Sequence, residues 1–188
     1  MKSKAGKKQK ASQVNQRLTL SEYLQQTIQK HQAGSWVEAK AGYQQILTIQ
    51  PQHADALHLL GIVTAQLGQI EQGIQLIKKA ISLNASNADY FLNLAKILHQ
   101  QGNLTAAIAA YQQAIERNCE LKLEIAQQLF TTALQYHQNN QVSQAEQLYQ
   151  KILEIYSDYA DCFNLLGVIA AQREDCEQAV SLFKQEPV

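Results

Sequence analysis

Apolar residues recur three and four positions apart through most of the chain, in short bursts separated by polar breaks. Leu57, Leu60 and Thr64 form one burst, and beyond LGQI come Ile70, Ile74, Ile77 and Ile81. That spacing puts one apolar stripe on each of two short helices. The pair of stripes then returns. ADALHLLGIVTAQLGQIEQGIQLIKKAI, beginning at Ala54, aligns at a shift of 34 with ADYFLNLAKILHQQGNLTAAIAAYQQAI, residues 88–115, and the stretch from Leu20 to Pro51 aligns at the same shift backward. A further copy, ADCFNLLGVIAAQR from Ala160, lies 106 residues beyond ADALHLLGIVTAQL, three periods and four residues on. Four residues are about one helical turn. They fall near KLEI at 122–125, so the first helix of that unit is predicted to be a turn longer than the others. Five units result, near 20–53, 54–87, 88–121, 126–159 and 160–188.

A fixed period of this length signals stacked copies of one supersecondary unit, none of which can bury its apolar face alone. The break between the two helices carries glycine in the first three units (AGSW, LGQI, QGNL), where a left-handed residue can close a helix without steric cost. The fourth unit offers QNNQ at 138–141, with Asn139 or Asn140 as the residue that tolerates positive φ. Small residues mark where two helix axes approach: Gly61, Ala95, Ala133 and Gly167 in first helices, and Ala39, Gly73, Ala107, Ala145 and Ala179 in second helices. Tyr43, Ile77, Tyr111, Tyr149 and Phe183 are predicted to fill the adjacent gap.

On these residues the chain resembles the tetratricopeptide repeat (TPR) family, whose pattern W-x-x-L-G-x-x-Y, A-x-x-x-F and a closing P spans one helix-turn-helix. The matches are L-x-x-L-G-x-x-T at 57–64, F-x-x-L-A-x-x-L at 91–98 and F-x-x-L-G-x-x-A at 163–170, with A-x-x-x-Y at 39–43, 107–111 and 145–149. Pro51 closes the first unit, while Ala85, Cys119 and Ser157 stand at the equivalent points; Thr132 and Ala133 replace the Leu-Gly pair in the fourth unit. The resemblance implies an all-α solenoid of helix-turn-helix pairs over 18–188, a right-handed superhelix of about five repeats with the last truncated. It implies also that the first helices line an inner groove.

Mapped by periodicity, that groove would present Leu24, Gln25 and Ile28; Asp55, His58, Leu59 and Ile62; Leu92, Asn93, Lys96 and His99; Phe130, Thr131 and Leu134; and Asp161, Asn164, Leu165 and Val168. An apolar strip with scattered hydrogen-bonding groups suits an amphipathic helix or an extended peptide, so the expectation is a protein-interaction scaffold. The competing expectation is that part of the strip packs against a neighbouring helix. Lys96 is the single basic residue in the set, so the carboxylate clamp of TPR chaperone co-factors is not expected. Asn93, with Asn164 one place off, echoes the asparagine ladder of TPR regions in O-GlcNAc transferase-like glycosyltransferases, and DALHLLG is similar to bacterial members of that group. A recruitment or regulatory part of such an enzyme, without its catalytic region, is the alternative expectation.

Charge changes the picture at one end only. The sixteen basic and sixteen acidic residues balance, yet Lys2, Lys4, Lys7, Lys8, Lys10 and Arg17 precede the first acid. Residues 1–17 therefore read as a basic, disordered, solubilising tail; with no aromatic residues among the lysines, the stacking platforms of a nucleic-acid binder are missing. No apolar run follows the lysines and no stretch reaches the roughly 18 apolar residues of a membrane span, which points to a cytoplasmic chain. No phosphate-binding, nucleophile-elbow or H-E-x-x-H motif occurs, so no enzyme activity and no cofactor are expected. Cys119, Cys162 and Cys176 have neither disulfide nor zinc spacing and are expected as buried or half-buried thiols. His31, His99 and His137 share one repeat phase but are too far apart for one metal ion, and are expected as solvated histidines near helix ends. The fifth unit has a short second helix near Cys176–Gln185 followed by Pro187. It is expected to fray, and either to self-associate or to belong to a longer protein.

Overall fold

The computed structural model describes residues 19–185. Among them are ten α-helices: α1 (Leu20–Gln32), α2 (Trp36–Ile49), α3 (Ala54–Gln66), α4 (Ile70–Leu83), α5 (Ala88–Gln100), α6 (Leu104–Arg117), α7 (Lys122–Gln138), α8 (Val142–Ile155), α9 (Ala160–Gln172) and α10 (Cys176–Lys184). A single 3₁₀ turn, Cys119–Leu121, precedes α7. The helices fall into five pairs at the predicted period, and α7 has 17 residues where the other first helices have 13, so the KLEI insertion does add a turn. The basic tail, 1–17, and Pro187 lie outside the described residues.

All five pairs close on the same turn. The amides of Ser35, Gln69, Asn103, Gln141 and Asp175 donate to the carbonyls of Lys30, Thr64, Leu98, Tyr136 and Ala170, five residues back, at 2.8–3.0 Å. This 6→1 bond needs one left-handed residue. It is Gly34, Gly68 and Gly102 in the first three pairs, then Asn140 at φ 59° and Glu174 at φ 63°.

The chain divides into two compact units, one ending at Asn84 and one beginning at Ala85. In the first, α2 packs on both α1 and α3, and α3 on α4, around a core of Ala39, Tyr43, Ile46, Ala56, Leu60 and Val63. The axes of α3 and α4 come very close: a Cβ added at Gly61 would lie 2.6 Å from Ile77 Cγ1 and 2.8 Å from the Gly73 carbonyl, and one at Gly73 would lie 2.6 Å from the Gly61 carbonyl. Only glycine fits there.

In the second unit α5 pairs with α6, α7 with α8, and α9 with both α8 and α10. Tyr111, Ile125, Leu129, Tyr149 and Ile152 are fully buried. Where Ala85 stands in place of a closing proline, Arg117 holds the turn instead: its Nε donates to the Ala85 carbonyl at 2.6 Å and its guanidinium lies 3.9 Å from the centre of the Phe91 ring. The last helix, α10, has nine residues against 14 in the other second helices, and leaves Val180 and Phe183 about half exposed. No helix among the described residues is long and apolar enough to cross a membrane.

Candidate functional site: the first-helix faces

The side chains predicted to line the groove are less open than a free strip would be. Leu24, Ile28 and Leu59 pack against the core of the first unit. His58 and Leu92 are buried, at 6% and 7% exposure, and offer a ligand almost no surface. Ile62, Asn93, Lys96, His99, Phe130, Leu134, Asn164 and Leu165 are half-buried, and Val168 alone of the apolar set is exposed. Gln25, Asp55, Thr131 and Asp161 stand out into solvent. Packing therefore claims a large share of the stripe, and what each face presents is mainly polar atoms between half-sunken aliphatic ones.

Those polar atoms are already organised. Asn93 Nδ2 donates to the Asp89 carbonyl one turn earlier, at 2.9 Å. Lys96 Nζ donates to Glu124 Oε1 at 2.9 Å. Glu124 sits in the inserted turn of α7, so the four extra residues supply the counter-ion to the single cation predicted on this face. Phe130 lies between Tyr149 and Tyr159, with ring centres 5.8 and 5.1 Å away.

The three in-phase histidines correct the expectation of solvated side chains. His31, His99 and His137 are half-buried, and each Nδ1 meets the hydroxyl of the tyrosine twelve residues on, in the second helix of its own pair: Tyr43 at 3.2 Å, Tyr111 at 3.3 Å and Tyr149 at 3.4 Å. In the first two the other ring nitrogen reaches the next first helix, His31 Nε2 to Gln66 Oε1 at 3.0 Å and His99 Nε2 to Thr132 Oγ1 at 2.8 Å. A carboxamide oxygen can only accept, so His31 carries its proton on Nε2 and Tyr43 donates to Nδ1. Burial raises the Tyr43 and Tyr149 phenols to about 12, raises that of Tyr111 with help from the Glu124 charge, and holds the His99 imidazole below its ordinary value. The signal was present in the sequence: where the second helix has Ile77 or Phe183 instead of tyrosine, the histidine position holds Ala65 or Ala171.

Of the other histidines, His53 caps α3 by accepting from the Ala56 amide at 3.3 Å. The cysteines correct a second expectation. Cys162 is buried and its thiol pushed up to about 12, but Cys119, in the 3₁₀ turn, and Cys176, at the start of α10, are exposed. Among the described residues no group of three or more His, Cys, Asp or Glu side chains could hold a metal ion.

Three clefts open among the described residues of the second unit: one of about 400 Å³ between α8, α9 and α10, and two that border α7. Of these two, one, of about 420 Å³, lies along α5 and α7 and is lined by His99, Gln100, Gly102, Leu104, Gln128, Thr131, Thr132, Gln135 and Tyr136. The other, of about 370 Å³, lies between α6, the end of α7 and α8, lined by Leu104, Thr105, Ile108, Tyr136, Gln144, Gln147, Leu148, Gln150, Lys151 and Glu154. Periodicity pointed to the first-helix face of His99 and Thr131 but missed Gln128 and Gln135, which sit on the flank of that face, and missed the other two clefts.

Comparison with known proteins bears on the fold. A family profile described as tetratricopeptide repeat matches residues 58–120. Cellulose synthase operon protein C of Pseudomonas fluorescens (strain SBW25) is 27% identical over 80% of this chain, which spans 12% of that protein's length. The crystal structure of MamA is 23% identical, covers 85% of this chain and 91% of its own, and superposes with a TM-score of 0.56. YrrB, described as a TPR protein with an unusual peptide-binding site, is 20% identical with a TM-score of 0.57, covering 89% of this chain and 84% of its own.

Proposed function

This is a chain of tetratricopeptide repeats, and we propose that it is a non-catalytic protein-interaction scaffold whose first-helix faces hold a peptide or an amphipathic helix of a partner. The observation that carries the reading is the face itself. Five first helices at one period present half-buried aliphatic side chains, Ile62, Leu134 and Leu165 among them, next to exposed Gln25, Asp55, Thr131 and Asp161. Half-sunken apolar groups ringed by hydrogen-bonding ones are what a bound peptide needs: area to cover, and partners for its backbone. YrrB, of the same fold, is described as carrying a peptide-binding site, which agrees with this use of the architecture.

The test is site-directed photo-crosslinking in the native host. A photoreactive amino acid at Ile62 or Val168 should yield discrete protein adducts. The same group at Lys78, an exposed residue of α4, should not. Adducts of equal yield from all three positions, or from none, would remove the first-helix faces as the binding surface.

A further inference from the structure

The two clefts that border α7 share a wall. Leu104, the first residue of α6, and Tyr136, near the end of α7, line both, so the clefts adjoin at these two side chains. Their chemistry differs. The α5–α7 chamber is bounded by the carboxamides of Gln100, Gln128 and Gln135 and the hydroxyl of Thr131, and no formally charged side chain lines it. The second chamber adds Ile108 and Leu148, and its two charges, Lys151 and Glu154, are paired with each other at 2.7 Å.

We propose that this double cleft takes an uncharged, extended stretch of a partner polypeptide, with one apolar side chain over Leu104 and Ile108, both half-buried, and the flanking backbone amides on the glutamine-lined chamber. The inference rests on the scaffold reading and names the partner's chemistry. A peptide unit needs an acceptor for its N–H and a donor for its C=O; a carboxamide provides both from one side chain, while the Thr131 hydroxyl, which donates to the Gln127 carbonyl at 3.1 Å, remains an acceptor. A carboxylate or ammonium moved into the same chamber would lose hydration and find no opposite charge to replace it. The neighbouring cation that could have favoured an acidic partner, Lys96, is held by Glu124 at 2.9 Å, through the turn inserted in α7. Volumes of about 420 and 370 Å³ each fall within the range of pockets that hold ligands.

The experiment uses the full chain, isotope-labelled, and three N-acetylated, C-amidated nonapeptides with a central leucine. One is flanked by Ser, Asn, Gln and Gly; in the others, four flanking residues are Glu or Lys. The uncharged peptide should bind about tenfold more tightly than either charged one and shift the resonances of Thr131, Gln135, Leu104 and Ile108. Gln135→Leu, at an exposed position that the fold does not depend on, and Ile108→Glu should each weaken it about fivefold. Glu124→Gln, which releases Lys96, should bring the Glu peptide several-fold closer to the uncharged one. Equal or tighter binding of a charged peptide, shifts confined to residues outside both chambers, or no binding by any of the three at millimolar concentration would overturn the proposal. Persisting cross-links from Ile62 and Val168 in that event would leave the scaffold reading standing; their loss as well would remove both.

Discussion

Thr64 is fully buried in α3 and its hydroxyl has no hydrogen-bond partner. An unmet buried hydroxyl costs about 1–3 kcal/mol, whereas a methyl of the same size costs nothing in its place. Thr64→Val should therefore raise stability by about 1 kcal/mol in urea denaturation. Glycines on the neighbouring turn of α3 respond the other way: with Ile77 and the Gly73 backbone where a Cβ would go, Gly61→Leu should destabilise by at least about 1–3 kcal/mol, and Ala107→Leu, at a fully buried site in α6, should do the same. Unchanged melting curves for both would contradict the packing. His99 brings in pH. Its folded-state value is depressed below the ordinary 6.5 by burial, so its contribution is complete above that value. As the pH falls below 6.5 the unfolded chain takes up the proton first, and stability declines until the lower folded-state value is passed. The urea midpoint should drop between pH 7.5 and 5.5 by more in the native chain than in His99→Gln.

The repeated turn is the element that most directly joins sequence to structure. Its 6→1 bond recurs five times, but its left-handed residue changes from glycine to Asn140 and then to Glu174. Asparagine adopts that conformation at little cost, whereas in glutamate it costs about 1–2 kcal/mol. Glu174→Gly should stabilise by about 1 kcal/mol and Asn140→Gly by less, measured by thermal melts of each variant. The same turns show what a single sequence can disclose. Helix number, pairing and the longer α7 were legible because period and glycine position are local properties of the chain. The openness of each side chain was not, because His58 and Leu92 share the repeat phase of half-buried Leu24, Phe130 and Asn164, and only three-dimensional packing decides which members of a stripe sink completely. The phase of His31, His99 and His137 was visible too; their pairing with tyrosine is written only in the joint replacement of both residues in the second and fifth repeats.

At the scale of the whole molecule, α10 leaves Val180 and Phe183 half exposed, although Phe183 packs over Gly167 so closely that an added Cβ would lie 2.6 Å from its ring. The corresponding Tyr149 of α8 is fully buried. This uncovered apolar surface predicts association that grows with concentration: sedimentation equilibrium at tens of micromolar should show species heavier than the monomer, reduced by Val180→Gln. A strict monomer would show that the surface is tolerated as it stands. The pairing of a first-helix histidine with a second-helix tyrosine also governs how the chain can be shuffled. A crossover after Gln50, Asn84, Asn118 or Tyr156 passes a repeat on with both partners intact. A crossover at the turn within a pair can join Tyr111 to the alanine of another repeat, or His99 to an isoleucine, leaving a phenol without its acceptor or an imidazole against bare methyl groups. The unit that gene duplication can copy, exchange or delete without damage is thus the helix pair, and fragments cut inside it should be found, if at all, only where both substitutions travelled together.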